Sequence, residues 1–192
     1  MADWIQEIIG RKRELLARLL REGFFDEVEQ AGRLLAAVLQ DGHKILTAGN
    51  GGSAADAQHF TGEVVGRFLR ERGALAALTL TVDPTVMTSV SNDYGYDAAI
   101  SRQIEGLGRS GDAALLISTS GNSGNLIQAA RMAKDKGLKV IGLLGGNGGA
   151  LKSFCDIPLV VTSVDTPRIQ EIHTFCVHLL CQMIEEQCHG RQ

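Results

Sequence analysis

Apolar side chains recur along the first forty residues with the spacing of amphipathic helices. The pattern runs from Trp4 to Leu39, and Gly23 and Asp26 mark a break and a restart. We therefore predict two helices ahead of the first strand. They carry more apolar surface than one small sheet edge needs, so they are predicted to pack either against other subunits or simply against the core.

Beyond residue 42 the pattern changes to short apolar runs that are rich in Leu, Ile and Val. Five such runs are predicted as strands: 44–48, 75–81, 113–117, 139–144 and 157–161. Helical stretches separate them, and this alternation is typical of a parallel sheet that is covered on both faces. The prediction is an α/β fold in one domain over residues 1–192, with N-terminal helices over 1–41 and the α/β core over 42–192.

Composition and charge exclude several classes of protein. Of the 192 residues, 44% are hydrophobic and 21% are charged, as in ordinary globular domains. The formal charge of −3 provides no electrostatic case for binding nucleic acid, and no apolar run reaches the roughly 18 to 20 residues that cross a bilayer. Asp3 and Glu7 interrupt any signal peptide, and the four cysteines form no C-x-x-C pair. We expect a cytoplasmic protein with reduced thiols and with no membrane or nucleic-acid partner.

The loops that follow the strands are the candidates for chemistry, because ligands of such sheets bind beyond the carboxyl ends of the strands. The first strand is followed by Gly49, Asn50, Gly51, Gly52 and Ser53, ahead of a predicted helix over 54–68. Glycines let the backbone approach a ligand, and the start of a helix favours an anion. The segment also fits G-x-G-x-x-A, a variant of the dinucleotide-binding motif, and a tight turn that binds nothing is the alternative.

A second candidate loop follows the third strand and is rich in hydroxyl groups. Its residues are Ser118, Thr119, Ser120, Gly121, Asn122, Ser123, Gly124 and Asn125. Four hydroxyls at the start of a predicted helix suit a phosphate monoester, because hydroxyls and helix N–H groups both donate to phosphate oxygens. A Ser/Thr-rich turn with one helix cap is the alternative, but one cap accounts for one hydroxyl rather than four. A glycine-rich segment, 145–149, follows the fourth strand and either meets the ligand or only turns the chain.

The predicted helix after the first loop carries His59 and Glu63, which are four residues apart and therefore share one face. Such a pair can bind a metal or act as acid and base. The alternative is a plain surface hydrogen bond, or an ion pair of Glu63 with Arg67.

The last predicted helix, with Thr166 as its candidate N-cap, carries three further polar side chains. Gln170 and His178 are eight residues apart, about 80° around the axis, so both can face one ligand. His173 lies on the other side of Gln170. The spacing leaves open which histidine is functional, and a polar core histidine is the alternative for either.

Together these segments resemble a sugar isomerase (SIS) domain, and within it the sedoheptulose-7-phosphate isomerases, also called phosphoheptose isomerases. The resemblance covers nearly the whole chain, and its carriers are 49–53 with Asp56 and His59, then Asn92 and Asp93, then 118–123, then 168–173 with His178. It implies a three-layer α/β fold, in which a five-stranded parallel sheet is flanked by helices, with an N-terminal helical extension. It also implies a homotetramer with active sites at the subunit interfaces.

The resemblance further implies an activity and a set of site residues. The activity is conversion of D-sedoheptulose 7-phosphate to D-glycero-D-manno-heptose 7-phosphate, the first step toward activated heptose for bacterial cell-surface glycans such as lipopolysaccharide. The phosphate is assigned to Ser118, Thr119, Ser120 and Ser123, and other substrate contacts to Asn50, Gly51, Gly52, Ser53, Asn92, Asp93 and Gln170. Catalysis is assigned to Glu63 and His178, and one zinc ion per subunit to His59, Glu63, Gln170 and His178.

The chemistry of this conversion fits the assigned residues. Interconverting a ketose and an aldose moves a proton between neighbouring carbons through an enediol, which requires a base near the carbons and an acid at the oxygens. We expect Glu63 to abstract the proton and His178 to transfer a proton at oxygen or during ring opening, with zinc stabilising the enediolate. Because a zinc-bound carboxylate is a weaker base, Glu63 would have to loosen its coordination.

Three alternative functions compete with the enzyme. Some relatives with this domain bind the bacterial replication initiator DnaA, but they lack the matching Glu and second His, whereas this chain has Glu63 and His178. Other SIS domains sense sugar phosphates in regulators beside a DNA-binding module, and no basic helix-turn-helix segment is evident here. A dinucleotide-dependent oxidoreductase would rest on 49–54 alone and leave the hydroxyl-rich loop without a role.

Overall fold

The protein alternates helices and strands, and the computed structural model describes residues 2–189. The helices are α1 Asp3–Arg21, α2 Phe24–Gln40, α3 Gly52–Val65, α4 Pro84–Tyr94, α5 Ala98–Leu107, α6 Gly124–Asp135 and α7 Thr166–His189. The strands are β1 Ile45–Gly49, β2 Ala77–Thr79, β3 Ala113–Ser118, β4 Lys139–Gly145 and β5 Ile157–Val161. A 3₁₀ helix, Ala150–Phe154, precedes β5.

The five strands form one parallel sheet in the order β2-β1-β3-β4-β5, which confirms the predicted fold class. The strands lie where the apolar runs predict them, except that β2 occupies only three of the seven residues predicted. β2 is an edge strand that pairs with β1 alone, and its ladder ends at Thr79. The N–H of Leu80, the next residue, still donates to the Thr47 carbonyl of β1 at 2.9 Å, and its side chain is buried in the core that contains α5.

Alternation along the strands sends side chains into two separate cores, because successive residues of a strand point to opposite faces. One core joins odd-numbered residues of β1 and β3, such as Ile45 and Leu115, to α1, α2, α3 and α7. The other joins their even-numbered neighbours, such as Leu46 and Leu116, to α5 and α6. The resulting three layers place α3 and α7 side by side on the same face, which determines the site described below.

Two helix ends differ from the predictions, for identifiable reasons. α3 ends at Val65, three residues before the predicted end, because the backbone N–H groups of the following loop donate to the carboxylate of Glu185 instead of to helix carbonyls. α7 begins at Thr166, so Thr166 is not the N-cap; the carbonyl of Asp165 accepts the first helical bond, from the Ile169 N–H at 2.9 Å.

Two further predictions concern the state of the cysteines and the absence of a membrane-spanning segment. All four cysteines lie in the described part and are free. In residues 2–189, no helix combines the length and the apolar character that crossing a membrane requires.

Candidate active site

The chain reverses its direction of winding between β1 and β3. From β1 it continues through α3 on one face of the sheet, and from β3 it continues through α6 on the opposite face. Crossovers that diverge between neighbouring strands leave a crevice at the strands' carboxyl ends, where ligands of such folds bind. Two loops border this crevice: residues 49–53, hereafter the glycine loop, and residues 118–123, hereafter the hydroxyl loop.

Two hydroxyls of the hydroxyl loop hold the shape of the loop itself. Ser118 Oγ accepts the N–H of Gly121 at 3.1 Å, and Ser120 Oγ accepts the N–H of Asn122 at 3.1 Å. Ser123 is the N-cap of α6, yet its side chain makes no capping hydrogen bond; its Oγ lies 3.4 Å from Ser118 Oγ. The helix-cap interpretation therefore fails for Ser123, whose hydroxyl faces the crevice side of the loop beside the unpaired N–H groups of the first turn of α6.

The two loops enclose one small cavity of about 50 Å³. Its polar lining comes from Asn50 and Ser53 of the glycine loop and from Ser118, Thr119, Ser120 and Ser123 of the hydroxyl loop. The structure thus brings together six of the residues predicted to bind substrate, although the two loops are separated by more than sixty residues of sequence. Hydroxyls, an amide and two helix starts converge there, which is the chemistry of an anion site.

Asn50 is held in one orientation by two residues that the sequence analysis did not single out. Its Nδ2 donates to Asn125 Oδ1 at 3.0 Å, and Asn125 Nδ2 donates back to Asn50 Oδ1 at 2.9 Å. The hydroxyl of Tyr96 donates to the same Oδ1 at 2.7 Å. Asn125 is fully buried, so its amide locks Asn50 rather than meeting solvent. The only sequence signal was the position of Asn125 at the end of the hydroxyl-rich segment.

The glycine-rich segment after β4 and the start of the following 3₁₀ helix support the hydroxyl loop from behind. The backbone N–H of Leu151 donates to the carbonyl of Gly121 at 2.8 Å, and the N–H of Ala150 donates to Asn122 Oδ1 at 3.0 Å. A Cβ at Gly121 would lie 2.0 Å from the carbonyl oxygen of Gly148, and its φ of +64° also favours glycine. The sequence left open whether these glycines turn the chain or contact a ligand. The close backbone packing against the hydroxyl loop is a reason for glycine at Gly121 and Gly149.

The packed faces of α3 and α7 connect the glycine loop to the predicted acid–base pair. At the start of α3, the Gln170 amide lies so close to Gly52 that a Cβ there would be 2.6 Å from Nε2. One turn on, Thr174 Oγ1 donates to Asp56 Oδ1 at 2.8 Å, and burial raises the pKa of Asp56 although this bond lowers it. One further turn brings His59 against His178.

His59 lies between the two predicted catalytic side chains. His59 Nε2 is 3.2 Å from Glu63 Oε1 and 3.4 Å from His178 Nε2, and the two imidazole rings meet edge to face with centroids 4.9 Å apart. Phe68 covers the other side of His178, with ring centroids 5.6 Å apart. Arg67 pairs with Glu71 and not with Glu63, so the proposed surface pair does not form.

The donor atoms of this cluster agree in part with a zinc site. Two ligand atoms of one tetrahedral zinc lie about 3.3 Å apart. The distances from His59 Nε2 to Glu63 Oε1 and to His178 Nε2, 3.2 Å and 3.4 Å, are close to this value. Imidazole and carboxylate are both ligands that zinc accepts. Among residues 2–189, however, no group of three or more His, Cys, Asp and Glu side chains is already arranged to hold a metal. A complete set would need the Gln170 amide, which lies against Gly52, to join.

His173, the second histidine of α7 that the sequence analysis considers, is a core residue. His173 is fully buried, its Nε2 donates to the carbonyl of Leu144 at 3.1 Å, and its Nδ1 has no partner. Burial lowers the pKa of His173 to about 4, and the bond to Leu144 opposes this only in part. The structure therefore places His178, and not His173, beside His59 and Glu63.

Two predicted substrate contacts lie apart from the cavity between the loops. Asn92 and Asp93 are exposed near the end of α4, where Asn92 Nδ2 donates to Asp93 Oδ1 at 2.9 Å. No residue of α4 is buried, so the helix lies on the surface. Tyr96, two residues beyond α4, links this segment to the crevice through Asn50.

Comparison of the chain with known protein families identifies the class of protein that has this fold and crevice. The family model of the SIS domain matches residues 9–145. The match runs through α3, both loops and the hydroxyl-rich strand end, and covers more than half of the chain.

Similarity to individual proteins narrows the class. The phosphoheptose isomerase of Aliarcobacter butzleri is 46% identical over 95% of this chain and 96% of its own length. The phosphoheptose isomerase of Geobacter sulfurreducens is 46% identical over 97% of this chain and 98% of its own length. The structure of a phosphoheptose isomerase from Francisella tularensis superposes with a TM-score of 0.92 at 36% identity, covering 97% of this chain and all of that one. The chain belongs to the phosphoheptose isomerase family of SIS domains.

Proposed function

We propose that the protein isomerises D-sedoheptulose 7-phosphate to D-glycero-D-manno-heptose 7-phosphate, the first step toward activated heptose. The family supports a sugar-phosphate isomerase, because relatives that match nearly the whole chain carry the name phosphoheptose isomerase. The observation that carries the proposal is the ladder of contacts from Gly52–Gln170 to His59–His178. It connects a hydroxyl-lined anion site to a carboxylate and an imidazole along one face of α3 and α7.

The phosphate is proposed to bind between the glycine loop and the hydroxyl loop. Ser118, Thr119, Ser120 and Ser123 present hydroxyls to the small cavity, and the N-termini of α3 and α6 add N–H donors with a favourable dipole. No lysine or arginine lines this cavity. Binding therefore depends on many oriented donors, which suits the single terminal phosphate of a sugar better than a polyphosphate.

The proton transfers are proposed to occur at Glu63 and His178. Glu63 removes a proton from C1 of the ketose while His178 protonates the C2 carbonyl oxygen, which produces the enediol. Loss of the proton from the C1 hydroxyl and return of a proton to C2 then complete the aldose. His59 contacts both groups and fixes their relative position, and Phe68 excludes water from one face of the His178 ring.

A zinc ion is proposed as the cofactor, with His59, Glu63, Gln170 and His178 as its ligands. Bound there, it would supply positive charge opposite the developing enediolate oxygen. In this chain, Gln170 would have to leave its position against Gly52 and Glu63 would have to alternate between holding the ion and accepting the substrate proton. Two of the donor separations already fit such a site.

A homotetramer with active sites at its interfaces is proposed as the working assembly, in the cytoplasm. α1 leaves the large apolar side chains of Trp4, Ile9 and Leu20 more than half exposed in the isolated chain. Exposed apolar side chains on one helix are typical of surfaces that are covered by another subunit. The four free, largely buried cysteines agree with a reducing compartment.

The direct test is to incubate the purified protein with D-sedoheptulose 7-phosphate and to analyse the products by NMR. We expect a new aldose 7-phosphate with the D-glycero-D-manno configuration. Fructose 6-phosphate serves as a control for general ketose isomerisation and should turn over much more slowly. Complete absence of turnover, with and without added zinc, would refute the proposal and favour a binding role instead.

A further inference from the structure

A buried carboxylate on α7 holds the loop that follows α3. Glu185 accepts the backbone N–H groups of Phe68 at 3.2 Å, Leu69 at 2.9 Å and Arg70 at 3.0 Å. Its side chain is only 2% exposed. Three successive N–H groups thus converge on one carboxylate, as they otherwise do at an anion-binding turn.

Arg72 completes this arrangement from the same loop and is 3% exposed. Its Nε donates to Glu185 Oε1 at 3.2 Å, while its terminal nitrogens donate to the carbonyl of Val64 at 2.9 Å and to the carbonyl of Glu63 at 2.7 Å. One planar guanidinium therefore joins α7 to the backbone of the predicted catalytic base itself. A lysine, with a single charged nitrogen, cannot span these acceptors in the same way.

The held loop also forms one wall of the site. Phe68, whose N–H donates to Glu185, places its ring 5.6 Å from that of His178 at an angle of 32°. Glu185 lies seven residues beyond His178, two turns along the same helix. The same group of contacts therefore touches the backbone of Glu63 and the ring that covers His178.

Burial of this pair is not explained by stability alone. A buried ion pair is often no more stabilising than well-packed apolar residues, because both charges lose their hydration. Burial by itself raises the pKa of Glu185, but the hydrogen bonds from Leu69, Phe68, Arg70 and Arg72 outweigh it and keep the pKa below its usual value. The buried carboxylate thus stays charged while it accepts three backbone N–H groups.

We propose that Arg72 and Glu185 are positioning residues for the isomerisation. They act together as a clamp that sets Glu63 on α3 against His178 on α7. The inference rests on the proposed function, because it assigns the clamp to the acid–base pair of that same reaction. It predicts that loosening the clamp slows chemistry without weakening phosphate binding, since the hydroxyl loop is held by other contacts.

The test compares Glu185→Gln and Arg72→Lys with a matched control. Asp112 is also 2% exposed and accepts the backbone N–H groups of Lys44 and Arg109 and the Lys44 ammonium, but it lies directly before β3 and these partners belong to neither α3 nor α7. We expect kcat to fall at least about tenfold in either clamp variant, with KM within about twofold of the wild type, because small displacements of catalytic groups have large kinetic effects. Asp112→Asn should keep kcat within about twofold at temperatures where it is folded.

Crystal structures of Glu185→Gln and Asp112→Asn provide a second measurement that does not depend on the substrate. The Phe68 ring should move away from the His178 ring in Glu185→Gln and should keep its contact with His178 in Asp112→Asn. Wild-type kcat in folded Glu185→Gln, an equal loss in Asp112→Asn, or an unmoved Phe68 in Glu185→Gln would each overturn the clamp. If the wild type fails to isomerise sedoheptulose 7-phosphate, the proposed function fails, and the Phe68 displacement still decides whether the clamp holds the loop.

Discussion

At the scale of single residues, His173 and His178 of α7 show how position determines chemistry. His173 and His178 are five residues apart, so they project from different sides of the helix. His173 points into the core beneath β4, where it donates to the carbonyl of Leu144. His178 points along α3, where it meets His59 and Phe68.

The first residue-scale prediction concerns the acid–base pair. Glu63→Gln removes the base and His178→Gln removes the proton donor, so each should lower kcat by at least about 100-fold, the usual contribution of a positioned general acid or base. Rates of product formation measure this, and circular dichroism checks that both variants fold. Normal turnover by both variants would show that these residues are not the acid and base.

The second residue-scale prediction concerns acid stability. His173 has a pKa of 6.5 when unperturbed and of about 4 in the native chain, so the stability that the neutral ring contributes is present above pH 6.5 and is lost as the pH falls toward 4. Between pH 7 and 4.5 the loss should be about 2 kcal/mol.

His173→Gln is the comparison for this effect, because glutamine can still donate to the Leu144 carbonyl but does not titrate. Urea unfolding at pH 7 and pH 4.5 should show a smaller acid-induced loss in the variant than in the wild type. Equal losses would mean that His173 is not the group responsible.

At the scale of elements, the hydroxyl loop combines two kinds of serine. Ser118 and Ser120 accept backbone N–H groups and hold the loop, whereas Ser123 makes no such bond. The loop is shaped before any ligand arrives, because its turn bonds and its support from the start of the 3₁₀ helix are internal to the chain. A preformed set of donors reduces the entropy that binding costs.

The element-scale prediction separates binding from folding. An N-cap serine usually stabilises its protein by about 1 kcal/mol, but Ser123 has no capping bond, so Ser123→Ala should change the free energy of unfolding by less than about 0.5 kcal/mol. The loss of a phosphate donor should nevertheless raise KM about tenfold.

Ser120→Ala combined with Ser123→Ala should raise KM further, and Ser153→Ala, which lies in the 3₁₀ helix outside the cavity, is the control. Steady-state kinetics and urea unfolding provide the two measurements. An unchanged KM in the double variant would exclude the hydroxyl loop as the phosphate site.

At the scale of the whole molecule, the isolated chain leaves apolar side chains exposed along one side of α1. Ile9 and Leu20 are eleven residues apart, close to three full turns, so they point in nearly the same direction, and both are more than half exposed. In a tetramer this stripe would be buried, and the interface would complete the active sites as the family resemblance implies.

The prediction at this scale is that the protein has four times the 20.5 kDa mass of one chain in solution. Light scattering after gel filtration measures it. Ile9→Glu with Leu20→Glu should shift the mass toward smaller species, because a buried interface does not accept unpaired charges. Leu107→Glu, at an exposed apolar position at the end of α5 on the other face of the sheet, is the control. A wild-type monomer would contradict the proposed assembly.

The sequence by itself determined the elements and the loops where chemistry is placed. The apolar period distinguishes helix from strand locally, and glycine and serine at strand ends identify the two loops without any tertiary information. Only the tertiary structure decided which helices share a face, that His178 rather than His173 meets His59, and that Asn125, Tyr96 and Glu185 hold site residues in place. These contacts join residues that are 46 to 119 positions apart, and no local pattern encodes them, because they arise from how the two layers of helices pack on the sheet.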